Sequence, residues 1–159
     1  MSKRSNYITA SGENTLRNEL RQLWRVERPE WTQRVSDAAK EGDRSENAEY
    51  IYSKKKLREI DRRVRYLTKR LEAIQVVNRM PEDTSRIFFG AWVELEEEDT
   101  ISRYRLVGSD EFDHQPEYIS IDSPLAKALL GKSESDTIEL KLTEGSRQYT
   151  IIKVFYEHI

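Results

Sequence analysis

A chain of 159 residues with 36% hydrophobic and 35% charged residues is poor in core and rich in surface, which suits an elongated molecule with a narrow apolar seam. The absence of cysteine excludes disulfides and thiolate metal sites. No stretch approaches the ~20 apolar residues of a membrane span, and no signal-peptide run opens the chain, so a soluble, cytoplasmic protein is expected. The net charge of −2 conceals a division: residues 1–86 carry 20 Lys and Arg against 14 Asp and Glu, whereas residues 87–159 carry 7 against 15. Because phosphate binding needs cations, this split points to a polyanionic partner for the basic half and to protein docking by the acidic half.

Residues 3–12 read as an irregular or short extended lead-in ending at Ser11-Gly12, with a helix starting nearby. Leu16, Leu20, Leu23 and Trp24 fall at i, i+4, i+7 and i+8, one apolar face, and the stripe resumes with Trp31, Val35, Ala38 and Ala39. Between them Pro29 removes a backbone donor and crowds the preceding turn, which predicts a kink near Arg28 rather than a stop. Gly42 closes this helix or sits in the turn. A second helix is expected over residues 44–76, where Tyr50, Ser53, Leu57, Ile60, Val64, Leu67, Leu71 and Ile74 alternate at spacings of three and four, a heptad seam. Asp43 or Ser45 is its expected cap. So short a turn makes the two helices antiparallel, seam to seam.

Residues 79–86 read as a linker. Beyond it the period changes to that of strands: residues 88–95, then 104–107 and 118–121. Asp122-Ser123-Pro124 opens a short helix ending before Gly131, and residues 137–142 and 149–154 form a closing hairpin about the turn at 143–146. The expected class is α+β: an antiparallel coiled-coil hairpin over residues 1–78, then a small antiparallel sheet with one helix over residues 87–159.

Two features carry chemistry. Asp43 and Glu46, at the turn between the long helices, share one helical face, and hard carboxylate oxygens are what Mg²⁺ takes. Two acids alone make a weak site, completed only if another protein supplies the remaining ligands. The same Asp-x-x-Glu spacing is also that of a helix cap, and spacing leaves both roles open. Behind the turn, residues 54–70 hold nine Lys and Arg against two acids, with Lys54, Lys55, Lys56, Arg58, Arg62 and Arg63 leading the run. A solvated face mixes its signs, so this stripe points to a phosphate backbone, positioned rather than read by sequence, since only Tyr52 and Tyr66 are candidate stacking residues. No phosphate loop, histidine cluster or nucleophilic triad is present, and a self-contained enzyme is not expected.

Gly42-Asp43-Arg44-Ser45-Glu46-Asn47-Ala48-Glu49-Tyr50 resembles the coiled-coil tip of the Gre family of bacterial transcript cleavage factors. Ile121-Asp122-Ser123-Pro124-Leu125-Ala126, followed by Ala128-Leu129, resembles the family's C-terminal hallmark. Leu23-Trp24-Arg25, Glu27-Arg28-Pro29-Glu30 and Phe88-Phe89-Gly90-Ala91-Trp92-Val93 look like the GreB branch rather than the GreA branch. The resemblance implies an FKBP-like C-terminal domain that docks on RNA polymerase through Asp122, Ser123 and Pro124, without isomerase activity. It further implies a coiled coil that enters the polymerase secondary channel, where Asp43 and Glu46 help hold a Mg²⁺ ion. The polymerase then cleaves the backtracked 3′ end of the nascent RNA, which Lys54 to Arg63 hold. A monomer with no membrane association is expected. The alternatives are a channel-binding regulator without cleavage activity and a free nucleic-acid-binding coiled coil.

Overall fold

The structure, a computed structural model, describes residues 4–42 and 47–157. The chain divides into two compact units: residues 13–73, and residues 74–159 together with residues 1–12. The first unit is helical. Helix α1 (Ala10–Gln22), which begins inside the expected lead-in of residues 3–12, runs into a π-helical turn at Leu23–Glu27, then into α2 (Arg28–Ala39); α3 (Ala48–Ala73) packs along α2. The seam forms largely as the spacing predicts. Ser53, Ile60 and Leu67 of α3 and Leu16, Leu23 and Ala38 of the first arm are buried, with Tyr50, Leu57, Val64 and Leu71 half-buried.

Three expectations change. The irregularity expected at Arg28 lies a turn earlier, as the π turn, in which the Arg28 N–H reaches five residues back to the Leu23 carbonyl. Pro29 then falls in the first turn of α2, where a missing N–H is tolerated. The extra residue of the π turn also shifts the helical phase, and Trp24, expected in the seam, is 56% exposed. Helix α3 begins at Ala48 and ends at Ala73, shorter at both ends than residues 44–76.

The second unit is a five-stranded sheet in the order β5-β4-β3-β7-β6, built from β3 (Trp92–Glu97), β4 (Thr100–Val107), β5 (Tyr118–Ser120), β6 (Thr137–Leu142) and β7 (Gly145–Phe155). Its α+β class is as expected. The sheet is not wholly antiparallel, however: β5 pairs parallel to β4, because residues 108–117 carry the chain back across the sheet end instead of turning tightly. Helix α4 (Pro124–Leu129) contributes Ala126 and Leu129 to a core with Val93, Leu95, Leu106, Ile138, Tyr149, Ile151 and Val154. The like-charged turn after β3 is a two-residue hairpin loop, with Glu98 and Asp99 both at positive φ (48° and 66°), the backbone twist a tight hairpin demands. Across the β3–β7 side, Arg147 grips Glu97 with two guanidinium hydrogen bonds, which hold the Glu97 carboxyl below its usual range.

The expected boundaries at residues 78 and 87 differ from this division at both ends of the helical unit. The lead-in forms β1 (Tyr7–Ile8), which pairs in parallel with β2 (Gln75–Val76). Glu111, fully buried, anchors the same segment. Its carboxylate accepts from the Thr9 N–H (2.8 Å), the Gly108 N–H (2.9 Å) and the Thr9 hydroxyl. The fit leaves no room for larger residues, since a Cβ on Gly12 would lie 2.1 Å from Glu111 Oε1. Arg4 adds an ion pair with Asp110 (2.9 Å). The expected linker is likewise tied down: the Tyr156 hydroxyl donates to the Arg86 carbonyl (2.6 Å) and accepts from the Phe88 N–H (3.0 Å), and Ile87 is fully buried.

Glu111→Ala strands three buried donors at once, and a loss of roughly 2–4 kcal/mol is expected from the shift of the urea unfolding midpoint. Glu111→Gln, which keeps the shape and one acceptor oxygen, should lose less.

Candidate functional site on the helical hairpin

The acids singled out in the sequence, Asp43 and Glu46, lie outside the described residues, as does Ser45. What surrounds them is defined. The end of α2 and the start of α3 each leave backbone groups without intrahelical partners. Asn47 serves both. Its side-chain oxygen accepts from the Tyr50 N–H (3.1 Å) while its backbone carbonyl accepts from the Ile51 N–H (3.1 Å), the geometry of an N-cap. Its side-chain nitrogen donates to the Ala38 carbonyl (2.6 Å) in the last turn of α2. The cap of α3 is therefore Asn47 rather than Asp43 or Ser45. Sequence reasoning missed it because Asn47 lies close to Asp43 and Ser45, residue types that cap about as well, and the helix start alone decides among them.

The basic run lies on α3, but its members differ in what they are free to do. Lys55, Arg58 and Arg62 are exposed and Lys56 is half-buried; none has a polar partner among the described residues. Lys54 sits 5.5 Å from the centre of the Tyr50 ring. Arg63 is committed within the hairpin, making two hydrogen bonds to Glu19 (2.7 and 2.9 Å) and lying 5.1 Å from the Tyr66 ring centre. Arg28 and Asp61 form a second inter-helix pair at 2.7 Å. The positive stripe thus divides into a fastener, Arg63, and a set with no acidic partner among the described residues, Lys54, Lys55, Lys56, Arg58 and Arg62. The aromatic content is also richer than the α3 sequence indicates. Trp31 of α2 meets Tyr52 edge to face at 5.7 Å, with the Arg34 guanidinium 4.5 Å from the Trp31 ring centre. A helical stripe read along one chain segment cannot show a ring contributed by the facing helix.

In the sheet unit, the three residues expected to dock each have a local duty. Asp122 accepts from the Ser5 N–H (2.8 Å), Ser123 caps α4 by accepting from the Ala126 N–H (3.3 Å), and Pro124 takes the first helical turn. Pro124 and Lys127 remain exposed, as does Leu130 just past the helix. Among the described residues, no group of three or more His, Asp or Glu converges as a metal site would require, and no helix is long and apolar enough to cross a membrane.

Among the described residues, a helical hairpin with a cationic helix is followed in the chain by a small α+β unit. Residues 6–76 match the family model described as transcription elongation factor, N-terminal, and residues 82–156 match transcription elongation factor, GreA/GreB, C-term. The chain belongs to the GreA/GreB family of transcription elongation factors. It is 57% identical to the transcription elongation factor GreB of Pasteurella multocida over 155 residues, 97% of this chain and 98% of that one. Against the GreB proteins of Haemophilus influenzae and Haemophilus ducreyi the identity is 55% and 54% over the same length, with 98% and 96% of the relatives covered. These relatives bear the name of the branch that the sequence resembles. Among solved structures, the Gfh1 protein of Thermus thermophilus aligns at 22% identity and a TM-score of 0.44, over 95% of this chain and 99% of that one.

Asn47→Ala removes a cap and a partner of the Ala38 carbonyl together, and should lower stability by about 1–2 kcal/mol in urea unfolding followed by far-ultraviolet circular dichroism. Asn47→Asp keeps the cap and loses only the donor, so an intermediate value is expected.

Proposed function

We propose that the hairpin carries Asp43 and Glu46 into the secondary channel of a bacterial RNA polymerase and stimulates that enzyme's own Mg²⁺-dependent hydrolysis of a backtracked RNA 3′ end. The observation that supports this reading is the cap. Asn47 accepts from the Tyr50 and Ile51 N–H groups, so the first turn of α3 has a cap of its own next to the two acids in the sequence. The donor set fits a shared ion: two hard carboxylates are too few to hold Mg²⁺ alone and are what a partially liganded ion in another active site lacks. Bound there, the ion would polarise the scissile phosphate and favour ionisation of the attacking water.

The chain's own contribution is positional. Asp43 and Glu46 place negative oxygens where a cation and a water must be held, and Asn47 joins the ends of α2 and α3 that flank them in the sequence. Lys54, Lys55, Arg58 and Arg62, all exposed, and half-buried Lys56 neutralise phosphates of the extruded strand. The segment Asp122, Ser123 and Pro124 of the acidic unit, with Pro124 exposed, serves as the dock on the polymerase. The reaction is hydrolysis at one phosphodiester: a water oxygen bonds to phosphorus, the bond to one ribose oxygen breaks, and that oxygen is protonated to a hydroxyl. The chain is unchanged by it.

The test is a polymerase stalled in a backtracked state on 3′-labelled RNA, with Mg²⁺ and the protein added. Short labelled fragments should appear with the wild-type chain and fall at least about tenfold with Asp43→Asn and Glu46→Gln, while binding to polymerase persists. Both substitutions preserve capping capacity, so an undiminished rate would remove the metal-holding role. Binding without any fragment from the wild-type chain would assign it instead to regulation of the channel without cleavage.

A further inference from the structure

Between α1 and α3 lies an open groove of about 410 Å³ lined by Arg17, Leu20, Arg21, Trp24, Arg25, Thr68 and Leu71. Leu20 and Leu71 form a half-buried floor, and no acidic side chain lines it. The rim is cationic. Arg17, Arg21 and Arg25 recur at intervals of four residues, one turn apart or about 6 Å along an α-helix, so all three project on the same side. Their charge is poorly offset. Arg17 reaches Glu13 only at 3.5 Å, Arg21 bonds the neutral Asn18 amide at 3.2 Å, and Arg25 has no partner among the described residues. Arg28, whose charge is matched by Asp61, lies 5.3 Å from the Trp24 ring centre and steadies the indole.

The exposure of Trp24 has no packing explanation. A tryptophan turned outward forgoes one of the largest apolar burials a side chain offers. The π turn that contains it is the local departure that moves it out of the seam, and such turns are frequent at functional sites. An exposed indole among uncompensated guanidinium groups has the composition of a single-strand binding platform, in which bases stack on the ring and phosphates pair with arginines. An acidic peptide would match the charge, but it would leave the ring face unused and find only two half-buried leucines for apolar contact.

We infer that this groove binds single-stranded RNA, with a base stacked on Trp24 and phosphates on Arg17, Arg21 and Arg25. It is a second RNA site, separate from the basic run at Lys54 to Arg62. Thr68, on the α3 side of the groove, lies 20 residues along the helix from Ala48, about 30 Å from the start of α3. The site therefore engages a part of the strand well removed from the turn. It rests on the proposed function only for the origin of that strand; binding of RNA to the isolated chain does not.

Binding of a fluorescein-labelled oligoadenylate RNA to the isolated full-length protein, followed by anisotropy across a salt series, tests this. Trp24→Ala should weaken binding roughly tenfold and Trp24→Phe should restore most of it, since any aromatic face stacks. Replacing Arg17, Arg21 and Arg25 together by Gln should reduce the slope of log affinity against log salt by about 2, at roughly 0.7 per phosphate contact on a single strand. Circular dichroism establishes that the variants remain helical, as expected for exposed positions. Unchanged affinity and slope in both variants overturn the inference. So does loss of all RNA binding when Lys54, Lys55, Lys56 and Arg58 become Gln, which would place the whole interaction on α3. Competition by polyglutamate as effective as by unlabelled RNA would assign the groove to a protein segment. No polymerase is present, so the result is independent of whether transcript cleavage is stimulated.

Discussion

Where α2 ends and α3 begins, two sets of backbone groups lose their intrahelical partners within a few residues of each other, and a single carboxamide is shared between them. Asn47 can do this because an amide carries both a donor and an acceptor. Its oxygen meets the Tyr50 N–H and its nitrogen the Ala38 carbonyl. An aspartate would repel the carbonyl and a serine could not span both. This pair of hydrogen bonds sets the phase at which α3 starts, hence which of its residues enter the seam and which cations face outward. The orientation of the positive stripe follows from it.

Much of the hairpin was legible in the sequence because its stabilising interaction is periodic. Ser53, Ile60 and Leu67 are buried where the heptad spacing puts them, and the strands of the sheet unit fall close to the alternating runs. Interactions that join residues distant in sequence were not legible. The link from Thr9 to Glu111 spans 102 positions and depends on a buried carboxylate in a polar loop, which in the sequence is one acid among Asp110, Glu111 and Asp113. The parallel pairing of β4 with β5 depends on how the intervening ten residues cross the sheet end, and alternation says nothing of direction. Trp24 was misplaced because a stripe counted at 3.6 residues per turn assumes an unbroken α-helix. The family itself was legible, since its motifs are local.

Arginine serves two purposes in the helical unit, and charge alone does not separate them. Arg28 and Arg63 bind Asp61 and Glu19 across the two helices, where the guanidinium geometry favours a directed hydrogen bond. Lys54 and Lys55 of the run are exposed to solvent, as suits a compact, strongly hydrated charge. A stripe that looks uniform in composition is therefore part fastening and part unfastened charge. The division follows from which positions have an acid facing them on the first arm.

The π turn at Leu23–Glu27 has a consequence for how the first arm tolerates change in length. A helix with one residue too many for its period holds that surplus in a single wide turn, and the segments on either side keep their own alignment with α3. Removing one residue within the turn would return it to ordinary α-helical winding and draw Trp24 toward the seam, while residues 28–39 could hold their alignment with α3. The same deletion anywhere in α2 would rotate every later residue of that helix by about 100° and take Ala38 out of reach of Asn47. The first arm thus has one place where it can lose a residue without disturbing the join at its far end.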